Sequence, residues 1–366
     1  MRTRALLALL LAACAGGEAF ASSYAGTSSG AILKLPAGAR AVSFGEAYAA
    51  GTPDDPSAIY YNPASATGST LSAFSFTHSV WFQSVSYDAA ALTMPLDDKG
   101  KAGYLLAGAQ YLNYGKIDSL DNTGEQDGSY TPHDFTLSAG WARSVVKNLS
   151  AGILFKYVSS AINNTASAFT FDIGARYLLG YGFSAGLSGQ NLIGKLKYAS
   201  ESADLPRQKR LGLKWENKTF TAEADALFNS DGKDAFALGA EARPFSFGDT
   251  GVALRAGYTS RLADARRDSS FPINIGAGVV HRMGSLDYAF VPYGDLGATH
   301  HITITLRWGT GQSPLDIITG EAEDPQESAR KRSTINLPRN IQQRQPQKQQ
   351  PRPRPAGGVA DITSWE

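Results

Sequence analysis

The sequence predicts an all-β protein, a transmembrane antiparallel β-barrel of about 14 strands, preceded by a segment of mixed character and followed by a disordered C-terminal tail. Three observations predict it. Apolar and polar residues alternate with period two through the body of the chain, the connections between those stretches alternate between tight and long, and the chain opens on an export leader.

Composition agrees with a β fold. The 366 residues include 38 Gly, aromatics make up 10% and charged residues 18%, and no long helix-forming run follows the N-terminus. The formal net charge of +1 excludes the basic footprint of a nucleic-acid binder.

Residues 1–21 read as a signal peptide: Arg2 and Arg4, an apolar run from Ala5 to Ala13, and the small-x-small site Ala19-Phe20-Ala21. Leu11-Ala12-Ala13-Cys14 also matches a lipobox, so Cys14 is either lipidated or removed with the leader. It is the single cysteine, which leaves no disulfide framework. Residues 22–69 form a segment of mixed character, in which Ala41, Phe44, Ala47 and Tyr48 sit at helical spacing. Within it, "DDPSAIYYNPASATGST" places turn formers around Ile59, Tyr60 and Tyr61.

Residues 70–309 form the barrel. In "HHITITLRW", Ile302, Ile304, Leu306 and Trp308 share one face, opposite His301, Thr303, Thr305 and Arg307. The same pattern sets Phe169, Phe171 and Ile173 against Thr170, Asp172 and Arg176, and Phe220, Ala222 and Ala224 against Thr221, Glu223 and Asp225. Segments of this kind begin near Leu71, Val85, Ala102, Phe135, Ser150, Ala168, Phe183, Arg210, Phe220, Ala235, Gly251, Ile273, Leu286 and His301. A soluble β-sandwich or propeller also alternates. The leader, the asymmetric loop lengths and "ITITLRW", an aromatic-terminated last strand of the type read by the outer-membrane assembly machinery, favour a barrel in outer-membrane lipid. Residues 310–366, with the acidic "EAEDPQE" and then a Gln- and Pro-rich stretch whose charges are all positive, cannot bury a core and form a tail. The barrel topology places both termini in the periplasm.

"PAGARAVSFGEAYAAGTPDDPSAIYYNPA", "FTHSVWFQSVSYDAAALTMPL" with His78, Trp81, Tyr87 and Pro95, and later "GLSGQNLIG", "LPRQKRLGL" and "DYAFVPYGDLGATHHITITLRWG" together resemble the PorV/PorQ family and, more distantly, the FadL-like outer-membrane transporters. The resemblance runs from about Leu35 to Gly309 and implies a barrel of about 14 strands whose N-terminal segment, residues 22–69, folds inward as a hatch or plug. It implies one of two roles: passage of hydrophobic small molecules, or receipt of secreted cargo proteins as an accessory barrel of type IX secretion. Glu46 and "NPASA" depart from the family pattern, and both lie in the hatch.

The candidate site residues fall into three groups. Asp54, Asp55, Ile59, Tyr60, Tyr61, Asn62 and Pro63 form a hatch element that is either a gate at the lumen or a fixed plug. Asp172, Arg176, Arg210, Lys214, Glu223, Asp225, Glu241, Arg243, Arg255, Asp287 and Arg307 point inward by strand phase and pair across strands. His78 and Trp81 lie on the outer-rim hairpin, with Trp81 read as a headgroup-level belt residue. No catalytic arrangement, metal site or cofactor motif is recognised. His300 and His301 point to opposite faces of one strand, and "GYGFSAG" opens a strand where a phosphate loop would open a helix.

Overall fold

The computed structural model describes residues 28–309, apart from 98–99, 163, 199–200, 264–265 and 267–270. The expected leader, Cys14 and the tail lie outside the described residues. The strands run in the order β1 (Ser72–Val80), β2 (Ser86–Pro95), β3 (Tyr104–Asn113), β4 (Ile117–Leu120), β5 (Gln126–Tyr130), β6 (His133–Val146), β7 (Leu149–Ala161), β8 (Thr165–Gly180), β9 (Phe183–Gln190), β10 (Lys195–Tyr198), β11 (Glu201–Asp204), β12 (Gln208–Glu216), β13 (Phe220–Asn229), β14 (Ala235–Phe247), β15 (Thr250–Thr259), β16 (Asn274–His281), β17 (Gly284–Pro292) and β18 (Ala298–Trp308).

Fourteen of these strands pair antiparallel in an up-and-down order, and β1 closes on β18 with Ser72 opposite Trp308 and Val80 opposite His300. Closure leaves no sheet edge to be satisfied in lipid. The remaining strands form two separate hairpins, β4 with β5 and β10 with β11, set in the connections 114–132 and 191–207. Those two connections and 260–273 crowd one rim, while 147–148, 181–182, 217–219, 248–249 and 282–283 turn tightly at the other. Long loops on one rim and short turns on the other orient the barrel, with the long-loop rim extracellular and the short-turn rim periplasmic.

The period-two pattern resolves into an inside and an outside. On β18, Ile302, Ile304, Leu306 and Trp308 are exposed, while His301, Thr303 and Thr305 are buried. A polar, packed interior beneath an apolar exterior is the arrangement lipid demands. The protein is therefore an outer-membrane barrel.

The lumen is filled by the chain before β1. Its regular pieces are a short helix at Ala39–Ser43 and two 3-10 turns at Pro56–Tyr60 and Pro63–Ala66. The helical spacing through Tyr48 overstates the helix, which stops at Ser43 because Gly45 and Glu46 adopt φ of 66° and 70°. That left-handed pair swings the backbone against β15, where any Cβ on Gly45 would collide with the main chain of Tyr258.

The termini themselves, expected in the periplasm, lie outside the described residues. The Ser29 amide donates to the Asp204 carbonyl at 3.1 Å and Lys34 pairs with Asp231 at 3.0 Å, so this end of the described chain lies at the long-loop rim, not in the periplasm. Strand count fixes the rim of β18 but says nothing about a segment that crosses the lumen before β1.

One substitution tests which face meets lipid. Ile304→Arg should lower folding stability in bilayers by about 2–4 kcal/mol, read as an earlier denaturant midpoint, whereas the isosteric Thr305→Val on the lumen face should cost less. Equal effects would contradict the assignment of faces.

Candidate functional site

The plug is built on two copies of one local device. Asp55 caps the turn Pro56–Tyr60, its Oδ1 accepting from the Ser57 amide at 2.9 Å, and Asn62 caps Pro63–Ala66, its Oδ1 accepting from the Ala64 amide at 2.9 Å. Proline at the first position of each turn has no N–H to leave unsatisfied. Asn62 is extended, with φ −156° and ψ 111°, as a residue before proline must be. Its Nδ2 donates to Ala49 O at 2.6 Å and to Ala175 O on β8 at 3.0 Å, so one amide caps a turn, ties two plug segments together and fastens them to the wall.

The tyrosines between these caps are anchors. Ile59 is fully buried, Tyr60 donates from its hydroxyl to Ala90 O on β2 at 2.5 Å, and Tyr61 donates to Ala37 O at 2.9 Å. The Arg210 guanidinium lies 5.1 Å from the centre of the Tyr61 ring, a cation–π contact. Ser188 and Gln190 on β9 donate to Tyr61 O at 2.7 and 3.0 Å. Tyr60 and Tyr61 border a cavity of only about 50 Å³ on the long-loop side, so they seat the plug against the wall.

Opposite them, two wall carboxylates hold the plug backbone. Asp225 Oδ2 accepts from the Tyr48 and Ala49 amides, each at 2.8 Å, and Glu223 Oε1 accepts from the Ala50 and Gly51 amides at 2.6 and 3.3 Å. Lys214 donates to Gly51 O at 2.6 Å and Arg210 to Glu46 O at 2.8 Å. Glycines on neighbouring strands clear the way: a Cβ on Gly174 would overlap the Asn62 side chain, and one on Gly186 would overlap the Ala49 carbonyl.

Toward the short-turn rim, Glu241 receives Arg40 of the plug at 3.0 Å and Arg243 and Arg255 of the wall at 2.5 Å each, and Arg255 also reaches Asp287 at 2.7 Å. These groups border a vestibule of about 450 Å³ that also includes Asp54, Asp55, Arg176 and Arg307. Arg307 donates to Asp54 O at 3.2 Å. Asp172 lies apart from this network, paired at 2.5 Å with Lys156 on β7.

His78 faces outward and pairs with Asp88 at 2.7 Å. Trp81 corrects its expected role as a belt residue. Its ring packs on Phe82, Tyr293 and His301 at the mouth of the lumen, because the turn after β1 folds over the opening. Trp141 and Trp308, exposed near the short-turn rim, face lipid, as does the half-buried Trp215 packed against Phe183.

Three contributors escaped the sequence reading. Glu46 pairs with Arg261 at 2.6 Å and stands 3.7 Å from Arg210; a lone acid among the small and apolar residues of 41–50 was the available signal. Lys156 was readable from its inward phase between Phe155 and Tyr157. Arg40 sits in a five-residue helix whose orientation no periodicity sets.

A closed barrel with a lipid-facing apolar exterior and a lumen stoppered by its own N-terminal segment defines a plugged outer-membrane β-barrel. No protein-family model and no curated protein matches the chain. Among solved structures it is similar to the toluene transporter TbuX of Ralstonia pickettii (12% identity, 74% of this chain and 97% of that one, TM-score 0.45). It is also similar to the toluene transporter TodX of Pseudomonas putida (11%, 78% and 98%, TM-score 0.45) and to a FadL homologue of Pseudomonas aeruginosa (12%, 74% and 97%, TM-score 0.46).

Removing the wall acceptors should loosen the plug. Asp225→Ala orphans two buried amides, and at about 1.5–3 kcal/mol for charge-assisted bonds their hydrogen exchange should quicken by about tenfold to a hundredfold, with a rise in single-channel conductance. Exchange and conductance both unchanged would show that the carboxylate does not hold the plug.

Proposed function

We propose that the protein is a barrel of the PorV/PorQ, FadL-like kind that passes small hydrophobic molecules across the outer membrane alongside its plug. The observation behind this reading is that the lumen has two unlike faces. Buried acidic and basic side chains concentrate on β8, β12 to β15, β17 and β18, with Asp225, Glu241 and Arg255 among them, and the other side has only Asp134 on β6 and Lys156 on β7 among the described residues. The inward positions of β2 and β3 include Tyr87, Ala89, Ala91, Tyr104, Leu106 and Leu112, all buried, and β7 adds Leu154 and Val158. With Ile59, Tyr60 and Tyr61 of the plug they form one continuous apolar cluster.

This seam reaches from Val85 and Leu112 near the long-loop rim to Tyr104 near the short-turn rim. An apolar solute following it meets apolar side chains along most of its length, and the polar groups it passes are few, chiefly the bonded pair Tyr87 and Gln110 and the Thr93 hydroxyl. In the described state the seam is packed shut, so passage needs the plug to shift by the width of a side chain or more, on the timescale of a gating motion.

The test is uptake of an uncharged aromatic hydrocarbon and of a long-chain fatty acid by a deletion strain complemented with wild type or Leu106→Gln. Wild type should restore uptake, and the polar amide in the seam should cut it about tenfold, equivalent to about 1.4 kcal/mol at the barrier, with heat-modifiable migration confirming a folded barrel. Uptake unchanged by the deletion would sink this reading, and a loss of surface-delivered proteins in the same strain would favour the cargo-receiving role.

A further inference from the structure

The vestibule at the short-turn rim contains one guanidinium with no acceptor. Arg176 on β8 is only 6% exposed. Among the described residues it has no hydrogen-bond or ion-pair partner, and its Nε is enclosed without one. The other arginines of this cavity are engaged: Arg40, Arg243 and Arg255 converge on Glu241, and Arg307 holds the Asp54 carbonyl. The carboxylates that act electrostatically on Arg176 are Glu216, Glu223 and Asp54. Glu216 is turned to Lys214 at 3.1 Å, Glu223 accepts plug amides, and none of the three reaches Arg176.

An enclosed, unpaired charge is costly, and a planar fork of N–H donors is best satisfied by two oxygens of one group. The cavity into which Arg176 faces measures about 450 Å³, has Leu178 and Val280 as apolar wall and Lys218 on its border. At roughly 30 Å³ per water, that is room for about fifteen waters or one small organic molecule.

We propose that this vestibule binds a small organic oxyanion, a carboxylate or a phosphate, entering from the periplasm and docking on the Arg176 guanidinium. The site is separate from the apolar seam, on the charged side of the lumen and below the plug. It does not rest on passage of hydrophobic molecules, because binding is read on the purified protein with no membrane to cross.

The experiment is calorimetry on the full chain in a zwitterionic detergent, with benzoate and inorganic phosphate as separate probes. Saturable binding of at least one is expected, weakened about tenfold or more by Arg176→Met, as loss of a bidentate charge-assisted pair implies, and by less than about threefold by Lys218→Met. Benzoate binding alone would identify an aryl or alkyl carboxylate as the ligand class, and phosphate binding alone a phosphate. Arg176→Lys keeps the charge without the fork and should bind with intermediate affinity, which keeps the test usable if the Met variant does not fold. Absence of saturable binding for both probes, or equal affinity in Arg176→Met, would overturn the proposal and leave Arg176 solvated by water.

Discussion

The interior of this barrel depends on two carboxylates meeting four consecutive backbone amides. Asp225 and Glu223 each commit one oxygen to a pair of N–H groups in the stretch Tyr48 to Gly51. Either partner alone would be untenable: two buried acids on adjacent inward positions repel one another, and an irregular plug backbone has donors that no secondary structure satisfies. Each removes the cost of the other. Lys214 and Arg210 complete the arrangement by donating to the carbonyls of Gly51 and Glu46.

That contact divides the lumen. With the charged wall absorbed by plug backbone and by Arg40, the opposite wall is left to the aromatic turn, where Ile59, Tyr60 and Tyr61 meet the alanines and leucines of β2, β3 and β7. The plug is thus held by directional bonds on one side and by apolar packing on the other. Apolar contacts are non-directional and tolerate sliding, whereas the hydrogen bonds do not. Movement that keeps the hydrogen bonds and slides the apolar contacts is the less costly way for this lumen to open.

The wall was legible in the sequence and the plug much less so. Lipid outside and a packed, polar lumen inside impose opposite demands on alternate residues, so Ile302, Ile304 and Leu306 separate from Thr303, Thr305 and Arg307 by composition alone. The two Asx-Pro turns were readable for a similar reason, since Asp55-Pro56 and Asn62-Pro63 have local signatures. What stayed hidden is what the plug touches. Asp225 grips main-chain amides, which every residue has, so no side-chain type at 48–51 announces the bond. Trp81 was misplaced because an amphipathic ring suits a membrane interface and a lumen mouth equally. The helix at Ala39 was overextended because its end is set by a close approach to Tyr258 that spacing does not encode.

The path of the first segment constrains how the molecule is assembled. The chain is at the long-loop rim at Ser29, has crossed the lumen by Gly68, whose amide meets the Tyr104 hydroxyl at 3.1 Å, and starts β1 at the opposite rim. Once β1 and β18 are zipped along their nine paired positions from Ser72 to Val80, that segment is encircled and could enter only by being drawn end-first through a lumen lined with bonding partners. Because β1 and β18 are sequence-distant, their seam is a late, high-contact-order event. The order of events that avoids threading has the wall curl around a plug already laid along it, with closure of the hoop as the final step.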